Sequence, residues 1–235
     1  MKNFPLLEIC VETLDAALAA NRGGAGRIEL CENLRAGGVT PSAELMCTVR
    51  KHVQLPVFAM IRPRIGNFVY SDLEFAEMIR DIEIAKKWGM NGVVFGLLDT
   101  EKRVDVKHTR LLVELARPLP VTFHRAFDDA RNLAEALENV IATGAARVLT
   151  SGGKPNAEQG AATIAELVDM GRARINVVPG GGISPANIES ILRITRASEV
   201  HSGLSTVVPS PVTDIAVFET EVRKLAKLVK NHVLV

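Results

Sequence analysis

The chain has 235 residues, 47% apolar and 23% charged, enough apolar chain for one sizeable domain with a full core. A formal net charge of +1, with one Trp and one Tyr, argues against a nucleic-acid surface, a membrane surface or a base-stacking platform. Three cysteines are an odd, low count for a disulfide framework and fit a reducing cytoplasm.

The first strand-like run is Leu6–Val11, reached from Met1–Pro5 with no leader pattern. The second is Arg27–Glu32. Each carries Glu-x-Cys: Glu8-Ile9-Cys10, then Glu29-Leu30-Cys31. Strand side chains alternate between faces, so Glu8 shares a face with Cys10 and Glu29 with Cys31. Leu7, Ile9 and Val11, then Ile28 and Leu30, take the other face and must meet an apolar layer. The carboxylates and thiols line something more polar.

Six more runs follow: Val57–Arg62, Gly92–Leu97, Val121–Phe127, Arg147–Ser151, Ile175–Pro179 and Glu199–Gly203. Helical patterns separate them. Ser71 and Glu74 form a capping box before a helix at Leu73–Trp88, and Gly89 closes it. Gly23, Gly144 and Gly171 fall where other helices should stop. Ser184-Pro185 reads as an N-cap followed by proline at the first helical position. The last helix covers Asp214–Asn231. No apolar stretch is long enough to span a bilayer. No linker or charge block interrupts 1–235, so a single domain is expected.

Eight strands alternating with eight helices predict an α/β fold, a TIM-like (β/α)8 barrel of parallel strands. An open doubly wound sheet is the alternative, but its central strands would be apolar on both faces. Here most strands are polar on one parity only, which suits a barrel lumen. That parity selects Glu8, Cys10, Glu29, Cys31, Met60, Arg62, His124, Asp128, Thr150, Asn176 and His201 for the lumen and rim.

Glu8, Glu29, Arg62, His124, Asp128 and His201 are the candidates for catalytic work. Histidine titrates near neutral pH, and a buried carboxylate can act with a raised pKa. Buried carboxylates need partners, and Arg62 and the two histidines are those available. A satisfied internal hydrogen-bond network is the other reading. Arg125 should turn outward by parity, toward helix acids or over the rim. Gly152 and Gly153 follow the sixth strand; Gly180, Gly181 and Gly182 follow the seventh. Their amides could bind an anion where late barrel loops hold phosphates, or the glycines could merely permit tight turns. This set supports an enzyme of lyase or isomerase type acting on a small phosphorylated or carboxylated metabolite.

The segments LLEICVET, RIELCENLRAGGVTPS, MIRPR, YSD, GVVFGLLD, PLPVTFHRAFD, RVLTSGG, VVPGGGI and EVHS, in this order, resemble the CutC copper-homeostasis family. The likeness spans the first strand to the eighth. It implies a TIM-like barrel, a cytoplasmic copper-homeostasis role and self-association into homo-oligomers. It also implies Cu(I) ligation by the cysteines of LEIC and IELC, here Cys10 and Cys31. The chemistry agrees, because Cu(I) is soft and thiolates suit it. Neighbouring strands lie about 4.8 Å apart, which could bring both sulfurs to one ion. Two small buried packing residues is the other reading of the pair. Cys47, in a helical pattern, reads as packing. Longer family members continue after the eighth strand with a Ser- and Arg-containing segment. Here Ser205 runs almost directly into the final helix.

Overall fold

The computed structural model describes residues 4–233. In chain order the elements are β1 (Leu6–Val11), α1 (Leu14–Gly23), β2 (Arg27–Leu30), α2 (Ala43–His52), β3 (Val57–Met60) and α3 (Asp72–Lys87). They continue with β4 (Gly92–Phe95), α4 (Val106–Ala116), β5 (Val121–Phe123), α5 (Leu133–Thr143), β6 (Arg147–Thr150) and α6 (Ala161–Gly171). The last four are β7 (Asn176–Pro179), α7 (Ile188–Thr195), β8 (Glu199–Ser202) and α8 (Ile215–Asn231). Every strand pair is parallel, and the sheet order is β7-β6-β5-β4-β3-β2-β1-β8. Sequential order with β1 beside β8 is a nearly closed (β/α)8 barrel. It excludes the doubly wound sheet, whose order would reverse at a switch point.

β7 and β8 lie side by side without a backbone ladder. Side chains join them instead. Asn176 Nδ2 donates to Glu199 Oε1 at 3.1 Å at one end of the seam. Ser202 Oγ donates to the carbonyl of Ile183, just past β7, at 2.6 Å at the other.

The parity rule holds strand by strand. Ile9, Ile28, Ala59, Val93, Val148 and Val200 are buried in the layer between strands and helices. Their neighbours Cys10, Phe58, Met60 and Val94 cluster separately inside the barrel. One assignment is corrected: Thr150 shares its face with outward-facing Val148, and Leu149 takes the lumen position. The Thr150 hydroxyl donates to Asp128.

Several boundaries also move. β5 stops at Phe123, because the chain enters a 3-10 turn, Arg125–Asp129, that His124 caps by accepting the Ala126 N–H at 3.2 Å. Asp128 is therefore a turn residue above the strands. The Ser71–Glu74 capping box is present, and Asp214 caps α8 through the Val217 N–H. Ser184 does not cap a helix. Its hydroxyl accepts from Ala186 in a preceding turn, and α7 begins after Asn187. The segment before α8 is anchored by Glu12, which accepts from Ser210 Oγ and from the Leu34 N–H, both at 2.8 Å.

The lower lumen is filled. The Phe58 ring lies between two guanidinium groups, with Arg27 Cζ at 4.9 Å and Arg147 Cζ at 4.1 Å from its centroid. Gly92 makes the room, since a Cβ there would sit 2.3 Å from the ring. Gly92→Ala must displace Phe58 from between the two charges. We expect a loss of about 1–3 kcal/mol in urea unfolding, the usual cost of overpacking a core. An unchanged midpoint would show that the ring is not held there.

Candidate functional site

Above Phe58, at the carboxyl ends of the strands, a cavity of ≈ 440 Å³ opens. Cys10, Glu29, Met60, Arg62, His124, Arg125, Asp128, Leu149, Gly181, Gly182 and His201 contribute to its walls. A larger groove of ≈ 750 Å³ lies at the opposite end, by Arg172, Arg193 and His232, and includes none of these residues.

Strand register builds the charged floor. Glu8 pairs with Arg27 on one side and His201 on the other. Its Oε2 takes Arg27 Nε, and its Oε1 meets His201 Nδ1 at 2.7 Å. Arg27 Nη2 then reaches Glu199. Burial would raise the Glu8 pKa, but the His201 hydrogen bond and the Arg27 charge outweigh it and hold the group at about 2. Burial opposes a charge on His201 too, yet Glu29 and Glu8 push its pKa upward. Both shifts favour the ion-pair form, carboxylate with imidazolium.

One row higher, Cys10 pairs with Glu29. Burial raises the Glu29 pKa against the attraction of His201, and its Oε2 has no hydrogen-bond partner among the described residues. Cys10 Sγ lies 3.5 Å from Cys31 Sγ. Their shared hydrogen bond, followed by burial, lifts the Cys10 pKa well above that of a free thiol. Cys10, Glu29 and His201 each offer a donor atom within 4.8 Å of the other two.

Arg62 follows β3, beside the strand that leads to Cys31, and His124 follows β5, across the barrel from β1. Arg62 binds loop carbonyls rather than a carboxylate. Its Nη1 donates to Gly37 and Gly38 at 3.2 and 3.1 Å, and its Nη2 to Gly66 at 2.9 Å. The expected pairing of Arg62 with the buried glutamates is therefore corrected: Arg27 holds Glu8, and Arg62 extends away from them. Burial and then the Arg62 charge hold His124 at about 3, so it is neutral.

Asp128 is a structural hub. It accepts from Thr150, from the Ser151 amide and hydroxyl, from the Gly153 amide and from Arg125 Nε at 2.7 Å. Arg125 swings over the rim to reach it and also Ser151. The glycine turns divide. Gly152 donates to Thr150 Oγ1, Gly153 to Asp128 and Gly180 to the Thr150 carbonyl. Gly181 and Gly182 line the cavity.

Sequence reasoning missed Arg27, Arg147, Glu199 and Phe68. The first three open their strands. Arg27 shares parity with Glu29, and Glu199 with His201, which was the available signal. Phe68 comes from a loop, stacking on Arg62 at 4.8 Å and edge-on to His124 at 5.0 Å. Nothing in a strand pattern marks it.

The CutC family model matches residues 5–206, covering every strand and the paired cysteines. This chain belongs to the CutC family. The mouse copper homeostasis protein cutC homolog is 48% identical over 196 residues, covering 83% of this chain and 72% of that protein. A CutC protein of Chromobacterium violaceum is 46% identical over 197 residues, 84% of this chain and 80% of that one. A CutC structure from Streptococcus agalactiae superposes with a TM-score of 0.81 at 30% identity, covering 85% of this chain and 98% of that chain. Phosphoribosylanthranilate isomerase from Thermotoga maritima gives a TM-score of 0.65 at 15% identity, covering 97% and 100%. That likeness is of fold alone. No helix of this CutC chain, among the described residues, is long and apolar enough to cross a membrane.

The pKa shifts in this CutC barrel fix an acid response. Unfolded, His124 takes a proton near 6.5; folded, it resists until about 3. Between those values the unfolded chain binds the extra proton, so stability falls as pH falls, by up to about 1.4 kcal/mol per pH unit. Glu8 adds its own loss only below 4.5, toward about 2. His201 acts in the other direction, its contribution fading as pH rises through its raised value. Urea unfolding of His124→Phe between pH 6.5 and 4.5 should therefore lose about one proton's worth of slope relative to wild type. An identical slope would mean that His124 is not held neutral.

Proposed function

We propose that this CutC barrel binds Cu(I) through Cys10 and Cys31, with copper as its passenger. One observation carries the reading: two buried sulfurs from adjacent strands stand 3.5 Å apart beside the mouth cavity. Cu(I) is a soft ion, and a thiolate pair is the ligand set it prefers. Cys10 lines the cavity and Cys31 is fully buried, so an ion reaches the pair from the Cys10 side.

The donor set fits the ion. Glu29 Oε2 is buried without a partner among the described residues, and His201 sits with Cys10 and Glu29 in one cluster. His201 Nδ1 is committed to Glu8, so Nε2 would serve as its ligand atom once metal displaces any proton there. That bond also fixes the ring, as an acid beside a ligating histidine commonly does. Without metal the Cys10 thiol keeps its proton, because its neighbour and its burial both disfavour the thiolate. Binding must displace thiol protons, so affinity rises with pH.

Competition against a Cu(I) chelator under anaerobic conditions tests this. Cys10→Ser and Cys31→Ser should each weaken Cu(I) by more than the roughly 10–100-fold that loss of a ligand's outer partner costs. Wild-type affinity should climb between pH 6 and 8. Either variant binding as wild type would remove the thiol pair from the site.

A further inference from the structure

We propose that the same barrel mouth seats a small organic anion, a carboxylate or a phosphate monoester, on Arg62 and His124. This seat uses side chains other than the thiols and does not depend on the copper reading.

The first observation is a buried cation without a counter-ion. Arg62 is 6% exposed and forms no ion pair among the described residues. Its partners are three neutral carbonyls, and Phe68 packs on its face. The adjacent Tyr70 hydroxyl, its pKa raised chiefly by burial, is neutral as well. Carbonyls and a ring orient a guanidinium but leave its charge uncompensated, and an uncompensated buried charge is costly. The Nε–H lacks an acceptor altogether among the described residues.

The second observation is His124, 4% exposed. Its Nδ1 accepts the Ala126 N–H, so a neutral ring must carry its proton on Nε2. Nε2 is buried and has no partner among the described residues. The ring therefore offers a fixed donor beside a fixed cation, both on the wall of one cavity.

The pairing of charges points the same way. Among the guanidinium groups of the lumen, Arg27 is met by Glu8 and Glu199, whereas Arg62 meets no carboxylate among the described residues. At the rim Arg125 and Asp128 cancel, and Asp129 is exposed to solvent screening. A planar guanidinium with a neighbouring N–H matches the oxygens of a carboxylate or phosphate.

Size narrows the ligand. A volume of ≈ 440 Å³ lies at the low end for small-molecule sites and suits a metabolite rather than a polymer. Gly181 and Gly182, at φ of 101° and 71°, form a wall whose amide N–H groups have no acceptor among the described residues. They can meet the far end of the molecule.

Calorimetry on the full chain, with thermal unfolding alongside, tests the seat using four probes: inorganic phosphate, glycerol phosphate, malonate and succinate, with chloride as control. At least one probe should bind saturably and raise Tm with concentration. Arg62→Gln and His124→Phe should each weaken that probe about tenfold or more, the effect of losing one charge-assisted or buried hydrogen bond. Cys10→Ser should leave its Kd unchanged. If Arg62→Gln does not fold, His124→Phe decides alone. No saturable binding of any probe overturns the proposal. So does wild-type affinity in the folded variants, or equal loss in Cys10→Ser, which would put the anion on the thiols.

Discussion

Arg27 bonds Glu8 on β1 and Glu199 on β8, so one guanidinium ties three strands across the barrel interior. Buried as it is, the Glu8 carboxylate depends on that guanidinium and on His201 to stay ionised. Removing one partner from such a buried arrangement costs about 3–5 kcal/mol, because the remaining charge is stranded. The tie also releases the other oxygen of Glu8 to hold His201. His201, its charged form favoured by these carboxylates, then stands beside Glu29 and Cys10. The polarity of the mouth is set by a salt link one row beneath it, and the Phe58 plug between Arg27 and Arg147 keeps that row dry.

The barrel was legible because its strands alternate strictly. A lumen and a helix-facing layer have different polarities, and a period of two separates them residue by residue. Glu8, Cys10, Glu29, Cys31, Met60, Arg62, His124 and His201 all reach the inside by that rule. Thr150 failed because β6 starts on Arg147, so its inward positions are 147 and 149. Asp128 and Arg125 failed the rule for another reason: the backbone had already left the strand for a 3-10 turn. Partner choice was the larger gap. Sequence shows that a buried acid needs a cation but not which one. Register decides that, and register places Arg27, not Arg62, beside Glu8.

The mouth carries unlike groups around its rim. Soft sulfur and a buried carboxyl group come from β1 and the end of β2; a guanidinium follows after β3, and a neutral imidazole after β5 stands across from β1. Sharing a fold with an isomerase carries no weight for either, since barrels host many chemistries and the site lies in the side chains placed on them. What distinguishes this interior is its unmet valence. Glu29, Arg62 and His124 each keep a buried polar atom without a partner among the described residues. Native cores rarely tolerate that away from a place where something else binds.

The seam between β7 and β8 makes the cylinder a split ring. Two side-chain rivets, Asn176 to Glu199 and Ser202 to the Ile183 carbonyl, hold its lips. Everywhere else, changing the ring's diameter means breaking ladder bonds. Along the slit, among the described residues, side-chain bonds and packing stand where the ladder is missing. One lip leads into Gly181 and Gly182, and the other carries His201. The bore of the mouth is thus adjustable at a single line, and the lower rivet shares Glu199 with Arg27. Spreading the slit pulls directly on the salt link that sets the charge of the site.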